Sequence, residues 1–181
     1  MTATTALLVI DMQWALCEGE EQAHDAAGLI SRINGLMARA DDAKVPVICI
    51  QHEEAQGSLQ HGSPGWALDS RLAVPATAMR LRKTTPDSFH LTDLHAVLEE
   101  LGIKHVIVCG LQSNYCVDTT VRRALALGFP VTLVADGHST VDNSVLKAPQ
   151  ISAHHNATLS SMSSFGPRVT LQPAKEISFG V

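Results

Sequence analysis

The sequence predicts an α/β fold, a three-layer αβα, doubly wound arrangement with a mostly parallel sheet of about six strands. Three observations carry this. Short apolar runs rich in β-branched residues recur along the chain, apolar on both faces as fully buried parallel strands are. Between them lie segments whose apolar residues repeat at helical spacing. The two kinds alternate, and alternation in one chain builds βα units around an open sheet.

In chain order, "ALLVID" (6–11) is the first strand. Ala26, Leu29, Ile30, Ile33 and Met37 mark a helix, and "VPVICIQ" (45–51) is the second strand. A long irregular segment follows at 52–78, beginning "HEEAQGSLQHGSPGW". Loops of that length in compact domains commonly form lids or binding walls, so it is expected to border the active site. A short strand-like segment then leads into Lys83. Leu94, Val97, Leu98 and Leu101 define another helix, with Thr92 as candidate N-cap. "HVIVCG" (105–110) is a strand, followed by a helix carrying Val117, Val121, Ala124 and Leu125 that stops at Gly128 and Pro130. "PVTLVAD" (130–136), a helix over about 145–161 and an edge strand "RVTL" (168–171) complete the pattern. No internal repeat or low-complexity tract interrupts it, and 1–181 reads as a single domain.

The bulk numbers agree with that reading. With 45% hydrophobic and 17% charged residues, 181 residues suffice for one domain with a sizeable core. Aromatics are only 4%, so that core is mainly Leu, Val, Ile and Ala. A net charge of −5 with no basic run argues against a nucleic-acid partner. No apolar stretch reaches the roughly 18 residues that span a bilayer, so no membrane partner is expected. The opening "MTATTALLVID" has no basic n-region and runs straight into the first strand, so no signal peptide is expected. Cys17, Cys49, Cys109 and Cys116 match neither a zinc motif nor a disulfide framework. Cys49 and Cys109 fall inside strands as buried thiols, and a reducing, cytoplasmic setting is expected.

Ligands in open parallel sheets bind beyond the carboxyl ends of the strands. Asp11, His52, Lys83 and Cys116 all follow such ends, the last within "CGLQSNYCVDTT" (109–120). Singly, each has an ordinary explanation: a turn cap, a hydrogen-bonded loop histidine, a solvated ammonium, a buried thiol. Asp118 is most simply a favourable charge in a helix's first turn. The acid, amine and thiol together are another matter. A thiol of pKa about 8.5 is mostly protonated at neutral pH. A lysine and a helix N-terminus would each favour its thiolate. A carboxylate takes the thiol proton and later returns it to a leaving group. Backbone N–H groups of the turn "GLQSNYC" are placed to receive an oxyanion. These are the parts of one covalent acyl transfer.

The same stretches resemble the isochorismatase-like cysteine hydrolase superfamily, the nicotinamidase/isochorismatase fold, over nearly the whole chain. "LLVIDMQ" is similar to the family's first strand, which implies Asp11 as catalytic acid. "LRKTTPDSF" is similar to the segment of the catalytic lysine, here Lys83, with Phe89 where the family has an aromatic. "VIVCGLQSNYCVDTTVRRALALGFPVTLVADGHST" resembles the nucleophile signature and implies Cys116. The resemblance further implies a cis peptide between Leu111 and Gln112, and an oxyanion hole from the backbone N–H groups of Gln112 and Cys116. It also implies a homodimer or homotetramer.

Two departures narrow the expectation. Family members acting on nicotinamide carry a metal-binding Asp-x-His, whereas this chain has "QHEEAQGS". His52, Glu53 and His61 are the only substitutes there and their spacing is not a recognised one, so neither metal nor cofactor is expected. Family members that hydrolyse isochorismate lack the cysteine, so Cys116 favours an amide-type C–N bond. Walls for a small-molecule substrate are expected from Gln13, Trp14, Trp66, Phe89, Gln112 and Tyr115. "AHHN" (153–156) resembles a sequence found in unassigned members and leaves His154 and His155 without a role. The leading expectation is a cysteine-dependent hydrolase of a small-molecule amide, working through a thioester. The alternatives are a non-catalytic small-molecule-binding protein on the same fold and a redox sensor pairing Cys116 with Cys17.

Overall fold

The computed structural model describes residues 4–179. Six strands form one sheet in which every pairing is parallel: β1 (Thr5–Ile10), β2 (Val47–His52), β3 (Met79–Lys83), β4 (His105–Leu111), β5 (Val131–Ser139) and β6 (Val169–Gln172). Their order is β3-β2-β1-β4-β5-β6. The chain lays strands outward from β1 to one edge, then returns to the other side of β1 and continues to the opposite edge. Strand order therefore reverses between β1 and β4, and that is where an open α/β sheet leaves a crevice for ligands. Asp11 follows β1 and Cys116 follows β4, so topology alone brings them to one opening.

Alternation along the central strands divides the core into two layers. Leu7 and Val9 of β1, with Cys49, Ile107 and Cys109, pack under α2 (Ala26–Asp42), which buries Leu29, Ile33, Leu36 and Met37. Ala6, Leu8 and Ile10, with Ile48, Ile50 and Val108, pack on the other face. There they meet α3 (Leu94–Glu100), α4 (Asp118–Ala126) and α5 (Ala148–Ser161). At the central strands two aliphatic layers replace the alternating polar face of a half-solvated sheet. Gly110 is the one β4 position where a side chain would break this arrangement. Its φ is +118°, and a Cβ there would overlap the Ile10 backbone beside Asp11.

Several features differ from the sequence-based expectation. A short α1 (Trp14–Cys17) follows β1 and is too brief to show helical periodicity. The helix after β4 is preceded by a π-helical turn, Ser113–Val117. The α3 N-cap is Asp93, one residue past Thr92, although Thr92 Oγ1 still accepts the Leu94 N–H at 3.3 Å. β5 runs to Ser139 because a register shift against β4, between Val108 and Gly110, lets it continue past the expected end.

The long 52–78 connection is pinned along β1's exit. The N–H groups of Trp14 and Ala15 donate to Ala67 O and Gly65 O, and Asp69 N–H donates to Met12 O at 3.0 Å. Buried Asp69 is held by Arg71 through two bonds of 2.9 and 2.8 Å. A loop fixed this way is a wall and not a loose excursion.

Candidate active site

Asp11 takes the left-handed conformation, φ 50°, which aspartate tolerates better than most residues. Its N–H donates to Ile50 O at 2.8 Å and its carbonyl accepts the Gln13 N–H at 2.8 Å, so the turn is fixed by backbone. Lys83 ends edge strand β3, in register with His52. Its long stem crosses above the end of β2 to reach the crevice. There the ammonium contacts three acceptors: Asp11 Oδ2 at 2.7 Å, Cys116 Sγ at 3.1 Å and His52 Nδ1 at 3.3 Å. Three N–H donors meet three acceptors, which fills the ammonium's capacity.

Cys116 lies inside the π turn, ahead of α4 and not at its first residue. The turn is closed by N–H bonds from Tyr115 and Val117 to Gln112 O, at 3.1 and 3.2 Å. The Leu111–Gln112 peptide is cis. Behind the turn, Ser113 Oγ is 2.7 Å from His138 Nδ1 and 2.9 Å from Ser152 Oγ. His138 Nε2 in turn meets Asn156 Oδ1 at 2.9 Å, which ties the π turn to β5 and α5. Ser113 and His138 are not distinguished in the sequence, because each lies in a stretch that is already polar, SNYCV and the DGHS end of β5.

The electrostatics correct one expectation. Burial, then the Asp11 charge, push the Cys116 thiol up to about 12, and Lys83 only partly offsets them. Both effects favour the thiol over a thiolate stabilised in advance. Burial pulls the Lys83 ammonium down, but Asp11 and Cys116 outweigh it and its pKa lies above the usual range. Burial and the Lys83 charge depress His52, which favours neutral imidazole. Asp11 Oδ1 is buried and has no hydrogen-bond partner among the described residues, leaving it as the acceptor for a thiol proton.

These shifts set an alkaline limit on stability. Burial also raises Cys17 to about 12 and Cys49 to about 11, from 9.0. A raised folded-state pKa contributes stability that is complete below the unfolded value and is lost as pH rises through the folded one. Above pH 9.0 the unfolded chain gives up thiol protons that the folded chain keeps. Each such thiol then lowers stability by about 1.4 kcal/mol per pH unit. Urea titrations from about pH 8 to about pH 10 should show the midpoint falling; a flat or rising midpoint would contradict this.

A cavity of about 540 Å³ opens over the site, with Asp11, Gln112, Tyr115 and Cys116 on its surface. That volume suits a small-molecule ligand. Leu16, from α1, and Leu59, from the 52–78 segment, add apolar wall, and Glu20, Glu21 and Glu54 add carboxylates. Of the expected wall residues, only Gln112 and Tyr115 line this cavity. Gln13 is fully buried and clamps β2 to the loop: its Nε2 donates to His52 O and Trp66 O, both at 2.9 Å, and its Oε1 accepts the His52 N–H. Phe89 belongs to the core layer, stacked near Phe129 at 6.3 Å. The Trp66 and His61 rings pack at a steep angle with centroids 4.6 Å apart, and Trp14 is exposed outside the cavity.

His52, Glu53 and His61 do not converge. Glu53 is bound by Arg82 at 2.7 and 2.9 Å, and His61 packs on Trp66. Among the described residues no group of three His, Cys, Asp or Glu is arranged to hold a metal ion. His155 Nδ1 meets Asp118 Oδ1 at 3.1 Å, linking α5 to α4, and His154 packs beside it, so neither lines the cavity. All four cysteines are free; Cys17 packs in the α2 layer while Cys116 packs against the opposite one. Cys17, Cys49 and Cys109 are fully buried, so iodoacetamide should label Cys116 first on the native protein. Peptide mapping that found Cys17 or Cys49 modified earlier would contradict the assignment.

Fold and site together define an open-sheet α/β protein with an Asp–Lys–Cys cluster at the topological switch point. A model of the isochorismatase domain matches residues 5–172, and the chain belongs to that family. A streptothricin hydrolase from Streptomyces noursei is 39% identical over 157 residues, covering 86% of this chain and 56% of the relative. A second from the same organism is 35% identical and is covered over 62% of its length, so the chain spans under two thirds of either. Nicotinamidase 3 of Arabidopsis thaliana is 30% identical over 79% of this chain and 77% of its own. The crystal structure of an isochorismatase from Pseudomonas putida KT2440 superposes with a TM-score of 0.89 at 26% identity, covering 98% of this chain and 91% of that one. No helix among the described residues is long and apolar enough to cross a membrane.

Proposed function

We propose that the chain hydrolyses small-molecule amide-type C–N bonds through a thioester on Cys116. The observation that carries this is the Lys83 ammonium, held within 3.1 Å of both the Asp11 carboxylate and the Cys116 sulfur inside a ligand-sized cavity. Relatives named as streptothricin hydrolase and nicotinamidase support the reaction class.

Asp11 Oδ1 takes the thiol proton as the sulfur attacks the carbonyl carbon, forming the C–S bond. Lys83 stays charged throughout and balances first the carboxylate, then the sulfur. Gln112 and Cys116 both line the cavity, and their backbone N–H groups receive the developing oxyanion. Collapse breaks the C–N bond, and Asp11 returns its proton to the leaving nitrogen. Water then attacks the thioester, gives its proton to Asp11 and releases the carboxylic acid, while the thiolate recovers a proton from Asp11. Because the thiol starts protonated, Asp11 does more work in this scheme than a preformed thiolate would require.

The test is a screen of primary amides, ureido compounds and lactams for ammonia or carboxylate release, with an acyl adduct on Cys116 read by mass spectrometry. Turnover should persist in excess EDTA, because the residues after β2 are committed to Arg82 and Trp66. Activity lost to EDTA and restored by zinc would overturn the metal-free scheme. Turnover with no adduct under rapid quench would overturn the covalent one.

A further inference from the structure

We infer that this site selects amides carrying a positively charged group, held by the carboxylates of Glu20, Glu21 and Glu54 at the mouth of the Cys116 cavity. This rests on the hydrolase reading and specifies its substrate class. All three glutamates line the cavity, whereas no lysine or arginine does. Their chain neighbours are treated differently: Glu18 is paired with Arg71 at 3.0 Å and Glu53 with Arg82 at 2.7 Å. Glu20 and Glu21 have no ion pair among the described residues. The one charged-group contact of Glu54 there is His52 Nε2, at 4.0 Å. Burial and Lys83 keep that imidazole's pKa low, so it supplies little positive charge at neutral pH.

A second observation points to a ligand in this cavity. Asp11 is 1% exposed, forms part of the cavity floor, and presents an oxygen with no partner. Its charge is balanced by Lys83, so the floor is neutral while the thiol is protonated. The three wall carboxylates are then uncompensated. Acyl transfer develops negative charge on the carbonyl oxygen, and unbalanced carboxylates nearby oppose it. A cation on the substrate removes that opposition while being attracted itself. Leu16 and Leu59 offer apolar contact for a chain joining the cation to the amide, and exposed Tyr115 offers an aromatic face to a cation.

Two measurements separate this inference from the hydrolase reading. In the first, native protein is treated with the cationic reagent aminoethyl methanethiosulfonate or the anionic sulfonatoethyl analogue. Each forms a disulfide with Cys116 and releases methanesulfinate. The ratio of the two rates is corrected by the same ratio on mercaptoethanol. We expect the cation to be favoured by about tenfold, the scale of three partly exposed carboxylates. That preference should fall with added salt and collapse in Glu20→Gln/Glu21→Gln/Glu54→Gln. The glutamates are exposed, so the variant should fold, as circular dichroism would verify. In the second, ε-aminocaproamide and caproamide are compared as substrates. The charged amide should have about tenfold higher kcat/KM, with most of the gain removed by the triple substitution through KM. A corrected rate ratio of one, a preference for the sulfonate, or a ratio unchanged in the triple variant would overturn the inference. An intact, glutamate-dependent ratio alongside failure of every amide to turn over would sink the hydrolase reading and leave the cation site standing.

Discussion

Cys116→Ala is expected to lower amide turnover by about 10⁴-fold or more, since it removes the atom proposed to form the thioester. What would remain is binding and the two proposed backbone donors, which give weak residual rate at best. The substitution deletes one sulfur and leaves the Asp11–Lys83 pair at 2.7 Å, so the fold should stay close to the parent. Melting temperature and circular dichroism should therefore change little while kcat disappears. Retention of activity within about tenfold would show that the chemistry lies elsewhere. The non-catalytic alternative makes the opposite demand: no acyl adduct on the parent with any amide, whatever its affinity.

Lys83→Met has the larger structural consequence. Lys83 and Asp11 are both almost fully buried, and removing one partner leaves an uncompensated carboxylate in the interior. Such a loss destabilises by about 3–5 kcal/mol. It should also remove turnover, because burial and Asp11 already push the thiol up to about 12 and only Lys83 pulls it back. A lysine that did no more than favour the thiolate would give a simpler outcome, partial recovery at higher pH as thiolate forms. With the thiol this high, recovery would fall where the fold itself is failing, so the pH–rate profile should stay low. Asp11→Asn added to Lys83→Met should restore part of the stability, since the orphaned charge goes with it, but none of the activity. Urea denaturation of the two variants settles the point: a double variant no more stable than the single one would contradict the buried-charge explanation.

Most of the fold was legible because each central strand is apolar on both faces and each helix repeats its apolar residues. The cluster of Asp11, Lys83 and Cys116 was legible for a related reason, since parallel strands deliver their end residues to one edge. The cavity walls were not. Gln13 lies two residues after Asp11 and Phe89 six after Lys83, yet one clamps β2 and the other fills the core. Leu16, Glu20 and Glu21 come from a four-residue helix and the turn after it, where no periodicity announces a wall. The thiol's state was also hidden, because proximity to a lysine argues one way and burial beside a carboxylate argues the other. Only the geometry shows which dominates.

Lys83 is delivered by β3, which is bonded to β2 alone and exposes Met79, Arg80 and Arg82. An outer strand of this kind opens locally at far lower free energy than the sheet's centre. The cluster's cation therefore hangs on the part of the sheet best able to come away by itself. Under mild denaturant, inactivation would run ahead of any change in far-ultraviolet dichroism. A binding partner or second copy covering that edge would hold the ammonium in place without touching the cavity, giving such contact leverage over catalysis from outside.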